Sequence, residues 1–172
     1  MASKHSAGIL LFRGNPGTDD DTAPTPTDGT LEVLLGHMGG PFWARRDAGA
    51  WSVVKGEYEP DEPALSAARR EFREELGLPV PDGELVPLGD VRQSGGKVVT
   101  VWALLGDLDP ALAVPGTFTM EWPNGSGRLQ EFPEIDRAAW LPLDEARKKI
   151  VKGQRPFLDR LTEHLADHRA AD

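Results

Sequence analysis

Residues 56–78 read GEYEPDEPALSAARREFREELGL, and the fold of the chain can be built outward from them. Gly77 predicts a helix that ends at a left-handed residue, while Asp61 and Pro63 predict its N-cap and its first turn. Between these points, apolar residues recur at the spacing of a buried stripe: Leu65, Ala68, Phe72 and Leu76. The stretch therefore predicts a loop followed by an amphipathic helix.

A second face of this helix carries carboxylates. Glu71, Glu74 and Glu75 stand at i, i+3 and i+4 and share one side, where the small Ala64 and Ala67 would leave room above the helix. Like charges this close repel one another, and a hard divalent cation would remove that cost. Glutamates on an exposed helix are more often only solvated surface charges, so this pattern alone leaves both interpretations open.

The spacing of the residues around the carboxylates is more specific. Gly56 is followed after five residues by Glu62, and after seven more by Arg70-Glu71-Phe72-x-Glu74-Glu75-x-Gly77-Leu78. This frame resembles the Nudix box, the signature loop and helix of Nudix hydrolases, and it matches all of the box's fixed Gly, Glu and Arg positions. Phe72 stands where the family more often has an aliphatic residue, a difference that concerns packing.

The resemblance implies a role for each of these residues. The metal ligands would be three carboxylates and a main-chain carbonyl, those of Glu71, Glu74, Glu75 and Gly56. Arg70 and Glu62 would form a supporting pair that holds the loop against the helix. Oxygen ligands suit Mg²⁺, with Mn²⁺ as a substitute, better than Zn²⁺.

The reaction that the resemblance implies is hydrolysis of a phosphoanhydride bond, with water as nucleophile, in a nucleoside diphosphate linked to another group. Nudix enzymes often supply one more carboxylate from a later segment, as a metal ligand or as the base that takes the water's proton. Glu131 and Glu134 lie in that region, and each alone is more often a surface residue. We prefer Glu131, with Glu134 close behind.

Contacts to the substrate are expected from residues near the box. Lys55 directly precedes Gly56 and is the first candidate, followed by Arg46 and Lys97. Trp43 lies in a Gly-rich loop and could stack on a base, although a Trp packed under its own turn is the commoner arrangement. The formal net charge of −9 argues against affinity for phosphate backbones, so nucleic acid is not an expected partner.

Length and composition predict one soluble domain that spans residues 1–172. The chain contains no Cys, which excludes disulfides, thiolate metal sites and thiol nucleophiles. The apolar patch near the start is far too short for a signal peptide, and no later stretch approaches a membrane span. We therefore expect no membrane partner and a cytoplasmic location.

Short apolar runs predict the strands, at residues 6–12, 31–37, 51–55, 85–93, 97–105, 117–122 and 138–141. The run at 97–105 is apolar without alternation, which is typical of a strand in the middle of a sheet covered on both faces. Residues 15–29 are rich in Pro, Thr, Asp and Gly and predict a mobile loop.

Two further helices are expected near the end of the chain, one capped by Asp144 and one beginning at Pro156. With the box helix they predict an α/β protein whose sheet carries helices on both faces. This agrees with the Nudix-type α/β/α sandwich with a mixed central sheet that the resemblance implies.

The substrate is less well defined than the reaction. Residues 95–110, 131–150 and 153–161 resemble a bacterial Nudix subgroup described as predicted NTP pyrophosphohydrolases. Expected substrates are small nucleotide derivatives: nucleoside triphosphates, dinucleoside polyphosphates, ADP-ribose or dinucleotide cofactors. Many family members that act on dinucleoside polyphosphates have prolines where this chain has Val53 and Val54, which argues against that class.

An alternative is a non-catalytic Nudix-fold module that binds a nucleotide and regulates another activity. Loss of catalysis in the family is normally accompanied by loss of box carboxylates, and all of them are present here. Removal of RNA caps is disfavoured by the acidic charge balance. Homodimers are common among proteins of this resemblance, so a homodimer is the expected form if the chain associates.

Overall fold

The structure is a computed structural model that describes residues 4–14 and 31–170. The loop expected at residues 15–29 lies outside this part of the chain. Nine strands and three helices follow in the order β1 (His5–Gly14), β2 (Leu31–Met38), β3 (Trp51–Ser52), β4 (Val54–Glu57), α1 (Ala64–Leu76), β5 (Leu85–Arg92), β6 (Val98–Leu105), β7 (Thr117–Glu121), β8 (Leu129–Pro133), β9 (Ile135–Pro142), α2 (Leu143–Lys149) and α3 (Arg155–Ala170).

Seven of the described strands form one mixed sheet. Its main order is β3-β2-β1-β6-β5, with β4 paired to β1 and β9 paired to β2. The pair of β1 and β6 is parallel, and the other pairs are antiparallel. The apolar run of β6 lies between β1 and β5, which confirms that it is an interior strand.

Helices cover both faces of this sheet. Along β1, Ile9 and Leu11 point to the face covered by α1, whereas Leu10 and Phe12 point to a second core that includes α2 and α3. Successive side chains of a strand alternate between faces, so a strand buried on both sides needs apolar residues at every position. The predicted α/β/α sandwich with a mixed central sheet is confirmed.

Helix α1 packs against β1 and β4 with a broader stripe than predicted. Phe72 and Leu76 are fully buried, but Leu65 is only half-buried and Ala67 is in the core. Ala67 lies one turn before Glu71, as expected, but it packs in the core and does not leave open room above the helix, because the helix lies close to the sheet on its small residues.

The ends of α1 agree only in part with the sequence pattern. Gly77 has φ 66° and ψ 19°, and its N–H donates to the Arg73 carbonyl, so the left-handed end is confirmed. At the other end the cap position is held by Pro63, with no side-chain hydrogen bond, and not by Asp61. A proline there fixes φ at a value that suits the start of a helix and needs no donor.

Two other boundaries differ from the sequence pattern. The strand expected at residues 51–55 is divided at Val53 into β3, which pairs with β2, and β4, which pairs with β1. Pro142, not Asp144, holds the cap position of α2.

Strands β7 and β8 form a separate two-stranded hairpin outside the main sheet. Its residues are exposed or half-buried, so the hairpin contributes little to the core. Within the described residues, no helix combines the length and the apolar character needed to cross a membrane.

Candidate active site

The carboxylates of α1 meet the sheet at β4. Gly56 and Glu71 are in such close contact that a Cβ on Gly56 would lie 1.9 Å from Glu71 Oε2 and 2.1 Å from Glu71 Cδ. Glu71 is only 7% exposed, which is unusual for a glutamate and is achieved because Gly56 has no side chain. The absence of a side chain at Gly56 therefore allows the Glu71 carboxylate to pack against β4.

Arg70 connects the loop before α1 to the helix carboxylates. Its Nε and Nη2 donate to the two carboxylate oxygens of Glu62 at 2.9 and 2.8 Å. Its Nη1 donates to Glu71 Oε1 at 2.8 Å and to Glu74 Oε2 at 3.1 Å. These hydrogen bonds raise the pKa of the Arg70 guanidinium above its usual range. The bond from Arg70 lowers the pKa of the Glu62 carboxyl below its usual range. The contact that the resemblance implies between Arg70 and Glu62 is thus present.

Replacing Arg70 with lysine is expected to weaken metal binding about tenfold to a hundredfold, because an ammonium cannot reproduce the planar fork that orients Glu62, Glu71 and Glu74 together. Titration with Mn²⁺, followed by calorimetry, measures the loss. The matched control is Arg69→Lys, since Arg69 is exposed on the same helix and contacts no partner among the described residues. Equal affinity of both variants for Mn²⁺ would show that the fork has no part in the site.

A cavity of about 520 Å³ opens above these groups. Its lining comprises five glutamates, two lysines, one on β4 and one directly before β6, and four small residues: Ser6, Lys55, Gly56, Glu57, Glu71, Glu74, Glu75, Lys97, Gly116, Thr117 and Glu134. The expected residues Lys55 and Lys97 are therefore placed with the box carboxylates, although Lys97 is distant in sequence.

The donor chemistry of this cavity fits a hard divalent cation. Three carboxylates and Gly56 border the same cavity. Because Gly56 has no side chain, the Glu71 carboxylate can lie directly against it. As the side chains stand, no three acidic or histidine groups in residues 4–14 and 31–170 are close enough to hold a metal ion. Two of the helix carboxylates are instead partnered by Arg70.

The crowding of charge in the cavity shifts several pKa values. Burial, reinforced by the charges of Glu134 and Glu71, raises the pKa of Glu75 to about 8. Burial also raises the pKa of Glu71. On the basic side, burial and the charge of Lys97 lower the pKa of Lys55 to about 8. The metal-free site therefore holds its charges at a cost to folding.

This cost predicts how the stability of the metal-free protein depends on pH. The folded-state pKa of Glu75, about 8, lies above its usual value of 4.5, so the folded protein retains a proton that the unfolded chain has lost. The free energy of unfolding should then fall as pH rises from about 5 to 8. Urea titrations in the presence of chelator should show a smaller fall for Glu75→Gln, and parallel pH profiles would contradict the prediction.

The two candidates for the additional carboxylate are placed differently. Glu134 lines the cavity, where its main-chain N–H donates to the Gly116 carbonyl at 2.8 Å and its own carbonyl accepts from the Gly39 N–H at 3.0 Å. Although much of this residue is open to solvent, partial burial raises the pKa of its carboxyl. Glu131 is exposed on β8 and does not line the cavity, so the preference for Glu131 has no structural support.

A smaller pocket of about 240 Å³ adjoins the cavity, sharing Lys55, Glu75 and Glu134 with it. Its other walls are largely apolar or main chain, from Met38, Gly39, Trp43, Ser52, Val53, Val54, Phe118 and Ile135. Trp43 packs against the core with one part and lines this pocket with another. Trp43 is therefore packed in part against the core, and its stacking on a base stays a prediction.

Arg46 is not brought to the cavity. Its guanidinium lies 5.6 Å from the centre of the Trp43 ring, on an exposed part of the same loop. The loop is fastened by the buried His37, whose Nε2 lies 2.6 Å from the Arg46 carbonyl and whose Nδ1 lies 2.9 Å from Asp136 Oδ1. Arg46 could therefore influence a bound ligand in two ways. It could act through its contact with the Trp43 ring, or its side chain could change conformation to reach the cavity.

Several residues of the two cavities were not expected from the sequence, among them Ser6, Glu57, Thr117 and Phe118. Ser6 is part of an apolar run, and Glu57 follows the box glycine. Thr117 and Phe118 belong to a hairpin whose position relative to α1 is fixed by the Gly116 N–H, which donates to the Glu74 carbonyl at 3.1 Å. The sequence does not show this long-range contact, so it could not place Thr117 and Phe118 at the cavities.

The fold has relatives among solved structures of low sequence identity. A mutT/nudix family protein from Listeria innocua is 16% identical with a TM-score of 0.62, covering 100% of this chain and 99% of that one. An Ap4A hydrolase from C. elegans, in a binary complex, is 20% identical with a TM-score of 0.60, covering 94% and 98%. The NUDIX domain of Shewanella oneidensis NrtR, complexed with ADP ribose, is 17% identical with a TM-score of 0.56, covering 99% and 90%.

The sequence itself matches the family model of the NUDIX domain over residues 22–161. This range contains the whole of the box and the helix α1 that carries the three carboxylates, together with Lys97 and Glu134 from the other side of the cavity. The chain therefore belongs to the Nudix hydrolase family.

Proposed function

We propose that this protein uses divalent metal ions, Mg²⁺ or Mn²⁺, to hydrolyse a phosphoanhydride bond in a nucleoside diphosphate linked to another group. The observation that carries the proposal is the cavity itself. It places Glu71, Glu74 and Glu75 beside Gly56 on one side and the ammonium groups of Lys55 and Lys97 on another. Such a site can receive a metal ion and a polyanion together.

In this proposal, the metal is held by the carboxylates of Glu71, Glu74 and Glu75 and by the Gly56 carbonyl. A divalent ion bound there supplies neutralising charge for the phosphates and lowers the pKa of water. Arg70 and Glu62 keep two of the carboxylates oriented, since the Arg70 guanidinium contacts Glu71 and Glu74 directly.

The lysines provide the remaining positive charge. An acidic chain with net charge −9 repels a nucleotide in general, so attraction must be local. Lys97 Nζ lies 3.5 Å from Glu57 Oε1 and is 32% exposed, so it remains able to reach a ligand in the cavity. Lys55 is the more buried of the two, and within residues 4–14 and 31–170 its ammonium forms no salt bridge that a bound phosphate would have to displace.

In the hydrolytic step, a water oxygen attacks one phosphorus of the anhydride. The bond from that phosphorus to the bridging oxygen breaks, and the leaving phosphate takes the bonding electrons. The water's proton passes to a carboxylate, and Glu134 is our candidate because it lines the cavity and partial burial raises its pKa towards the range of an effective base. Glu131 does not line the cavity, so we do not assign it this role.

The apolar pocket would hold the base or another uncharged part of the substrate. Trp43 and Phe118 both line it, and its volume of about 240 Å³ is additional to the cavity that faces the carboxylates. A base stacked on an aromatic side chain gains about 1–3 kcal/mol. The two structural relatives that are named with a nucleotide involve Ap4A and ADP ribose, so adenine nucleotides come first among the substrates to try.

The test is release of phosphate, coupled through pyrophosphatase or phosphatase, from ATP, other nucleoside triphosphates, Ap4A, ADP-ribose and NAD. Each is assayed with Mg²⁺, with Mn²⁺ and with chelator. Turnover that requires metal and is confined to one class would support the proposal and identify the substrate. A folded protein that binds Mn²⁺ but releases no phosphate from any of them would favour a non-catalytic nucleotide-binding module.

A further inference from the structure

Two aromatic side chains meet on the surface of the protein, beside the apolar pocket. Phe42, in the loop between β2 and β3, lies against Trp122, which directly follows β7. Their ring centroids are 5.3 Å apart and their planes are inclined at 74°, the edge-to-face arrangement that aromatic pairs prefer. Phe42 is nevertheless 59% exposed, and both rings stand outside the walls of the pocket. This contact, the aromatic clasp, therefore joins two surface segments and does not fill a core.

One face of the β7–β8 hairpin is turned towards the β2–β3 loop. Phe118, Met120 and Trp122 are each half-buried, whereas the residues between them are exposed. Alternate residues of a strand share a face. The Trp122 N–H donates to the Arg128 carbonyl at 3.0 Å, so the pairing of the hairpin continues as far as this residue. Phe118 and Trp122 therefore lie on the same face, with Phe118 at the pocket.

The loop contacts the hairpin segment at three successive points. A Cβ on Gly39 would lie 1.9 Å from the Pro133 carbonyl oxygen, and a Cβ on Gly40 would lie 3.0 Å from Phe118 Cζ. At these two points the missing side chains allow the segments to approach closely. The aromatic clasp is the third point, and there a side chain of the loop touches a side chain of the hairpin.

The clasp is closely connected to both aromatic walls of the pocket. The Trp43 N–H donates to the Gly40 carbonyl at 3.3 Å and closes a turn with Pro41 and Phe42 at its centre. Proline at the first central position restricts the backbone of such a turn. Anchoring the Phe42 ring therefore restricts Trp43, the next residue. On the hairpin side, the clasp lies on the same strand face as Phe118.

We propose that Phe42 and Trp122 are positioning residues for the nucleobase of the substrate: the clasp sets the distance between the rings of Trp43 and Phe118, between which one base binds. The inference rests on the proposed function, because the base belongs to the same nucleotide derivative. The pocket of about 240 Å³ is smaller than the roughly 300–1,000 Å³ of sites for drug-sized ligands, so it suits a single planar ring system.

The test compares probes with and without a base by calorimetry in the presence of Mg²⁺. The probes with a base are the α,β-methylene diphosphates of adenosine, guanosine, cytidine and uridine, whose bridging carbon resists hydrolysis. The matched probe without a base is methylenediphosphonate. Phe42→Ala should bind the tightest of the four nucleotides about fivefold to tenfold more weakly than wild type, the effect of losing one aromatic pair. Its affinity for methylenediphosphonate should equal that of wild type, since this probe has no base to place.

Matched variants show whether the aromatic contact is responsible. Phe42→Tyr keeps the ring and should restore the affinity of wild type for the nucleotide. Leu129→Ala removes an apolar side chain that is 74% exposed on the same hairpin, and it should bind both kinds of probe as wild type does. Phe42→Ala combined with Trp122→Ala should be no weaker than either variant alone, because each removes the same contact. Additive losses would overturn the inference.

Thermal unfolding without ligand separates positioning of the base from stability of the fold. Because the Phe42 side chain is largely exposed, Phe42→Ala should melt within about 2 °C of wild type. A clearly lower melting temperature, with equal losses of affinity for the nucleotide and for methylenediphosphonate, would assign Phe42 a purely structural role and overturn the inference.

The phosphate-release assay distinguishes failure of this inference from failure of the proposed function. If wild type hydrolyses nucleotides and Phe42→Ala binds the methylene diphosphates as tightly as wild type, the inference falls and the function stands. If wild type releases no phosphate but Phe42→Ala weakens binding of the nucleotide alone, the base site stands and hydrolysis falls. If wild type binds none of the four nucleotides more tightly than methylenediphosphonate, the pocket holds no base and the inference falls.

Discussion

Replacing Glu75 with glutamine is expected to lower metal-dependent kcat by about a thousandfold or more while the protein keeps its fold. Glu75 lines both the cavity and the apolar pocket, so it lies where the metal site and the substrate site meet. Glutamine preserves the shape of the side chain and removes only its charge. Steady-state kinetics on the substrate found by the phosphate-release assay, with Mg²⁺ in excess, measures the effect.

The same substitution should have the opposite effect on the stability of the metal-free protein. Because burial and neighbouring carboxylates raise the pKa of Glu75 to about 8, its charge is unfavourable in the folded state above that pH. The variant should therefore unfold at a higher temperature than wild type at pH 9 in chelator. Glu163→Gln, at an exposed position of α3, should change neither quantity. Full activity of Glu75→Gln would refute the metal site.

Substituting Gly56 with alanine is expected to reduce kcat at least about a hundredfold, because the added Cβ would lie 1.9 Å from Glu71 Oε2. Either the carboxylate or β4 must move, and a shift of that size separates the helix ligands from the strand. Overpacking at a buried contact also costs about 1–3 kcal/mol of unfolding free energy. Calorimetry with Mn²⁺ and urea unfolding measure the two losses separately.

The control for this variant is Gly153→Ala, where the added Cβ would meet the side chain of Gln93 at 3.2 Å and which does not line the cavity. A flexible side chain can withdraw, so kinetics and stability should stay near wild type. If Gly56→Ala is as active as Gly153→Ala, then close contact between Gly56 and Glu71 does not matter for the reaction.

Local periodicity is the reason that much of the site could be predicted from the sequence. A helix fixes Glu71, Glu74 and Glu75 on one side whatever surrounds it, and Gly77 ends that helix as expected. The interior position of β6 follows equally from its apolar run. These features depend on neighbours in the chain, which the sequence displays directly.

The remaining site residues depend on contacts between distant segments. Glu131 and Glu134 look alike in sequence, but β8 ends at Pro133, and hydrogen bonds to Gly39 and Gly116 then place Glu134 at the cavity. Ser6 belongs to an apolar run and gave no signal, because its place at the cavity depends on how three strands meet. No local pattern encodes these arrangements.

The stripe of α1 illustrates the same limit in the core. Spacing alone could not decide between Leu65 and Ala67, since both are compatible with an apolar face. The close approach of α1 to β1 and β4 buries the smaller residue and leaves the larger one at the edge. The distance between α1 and the sheet therefore determines which residue is buried, and that distance cannot be read from the sequence.

The two cavities differ in how freely their walls can change during evolution. The three carboxylates stand on α1 and Lys55 stands on β4, elements whose opposite faces form the core, so their backbone cannot shift without disturbing the packing. Trp43 and Phe118 instead stand on a surface loop and on the exposed β7–β8 hairpin. Such segments tolerate insertion and replacement. New substrates could therefore be acquired by altering this loop and hairpin while the chemistry stays fixed, which makes them the natural targets for engineering specificity.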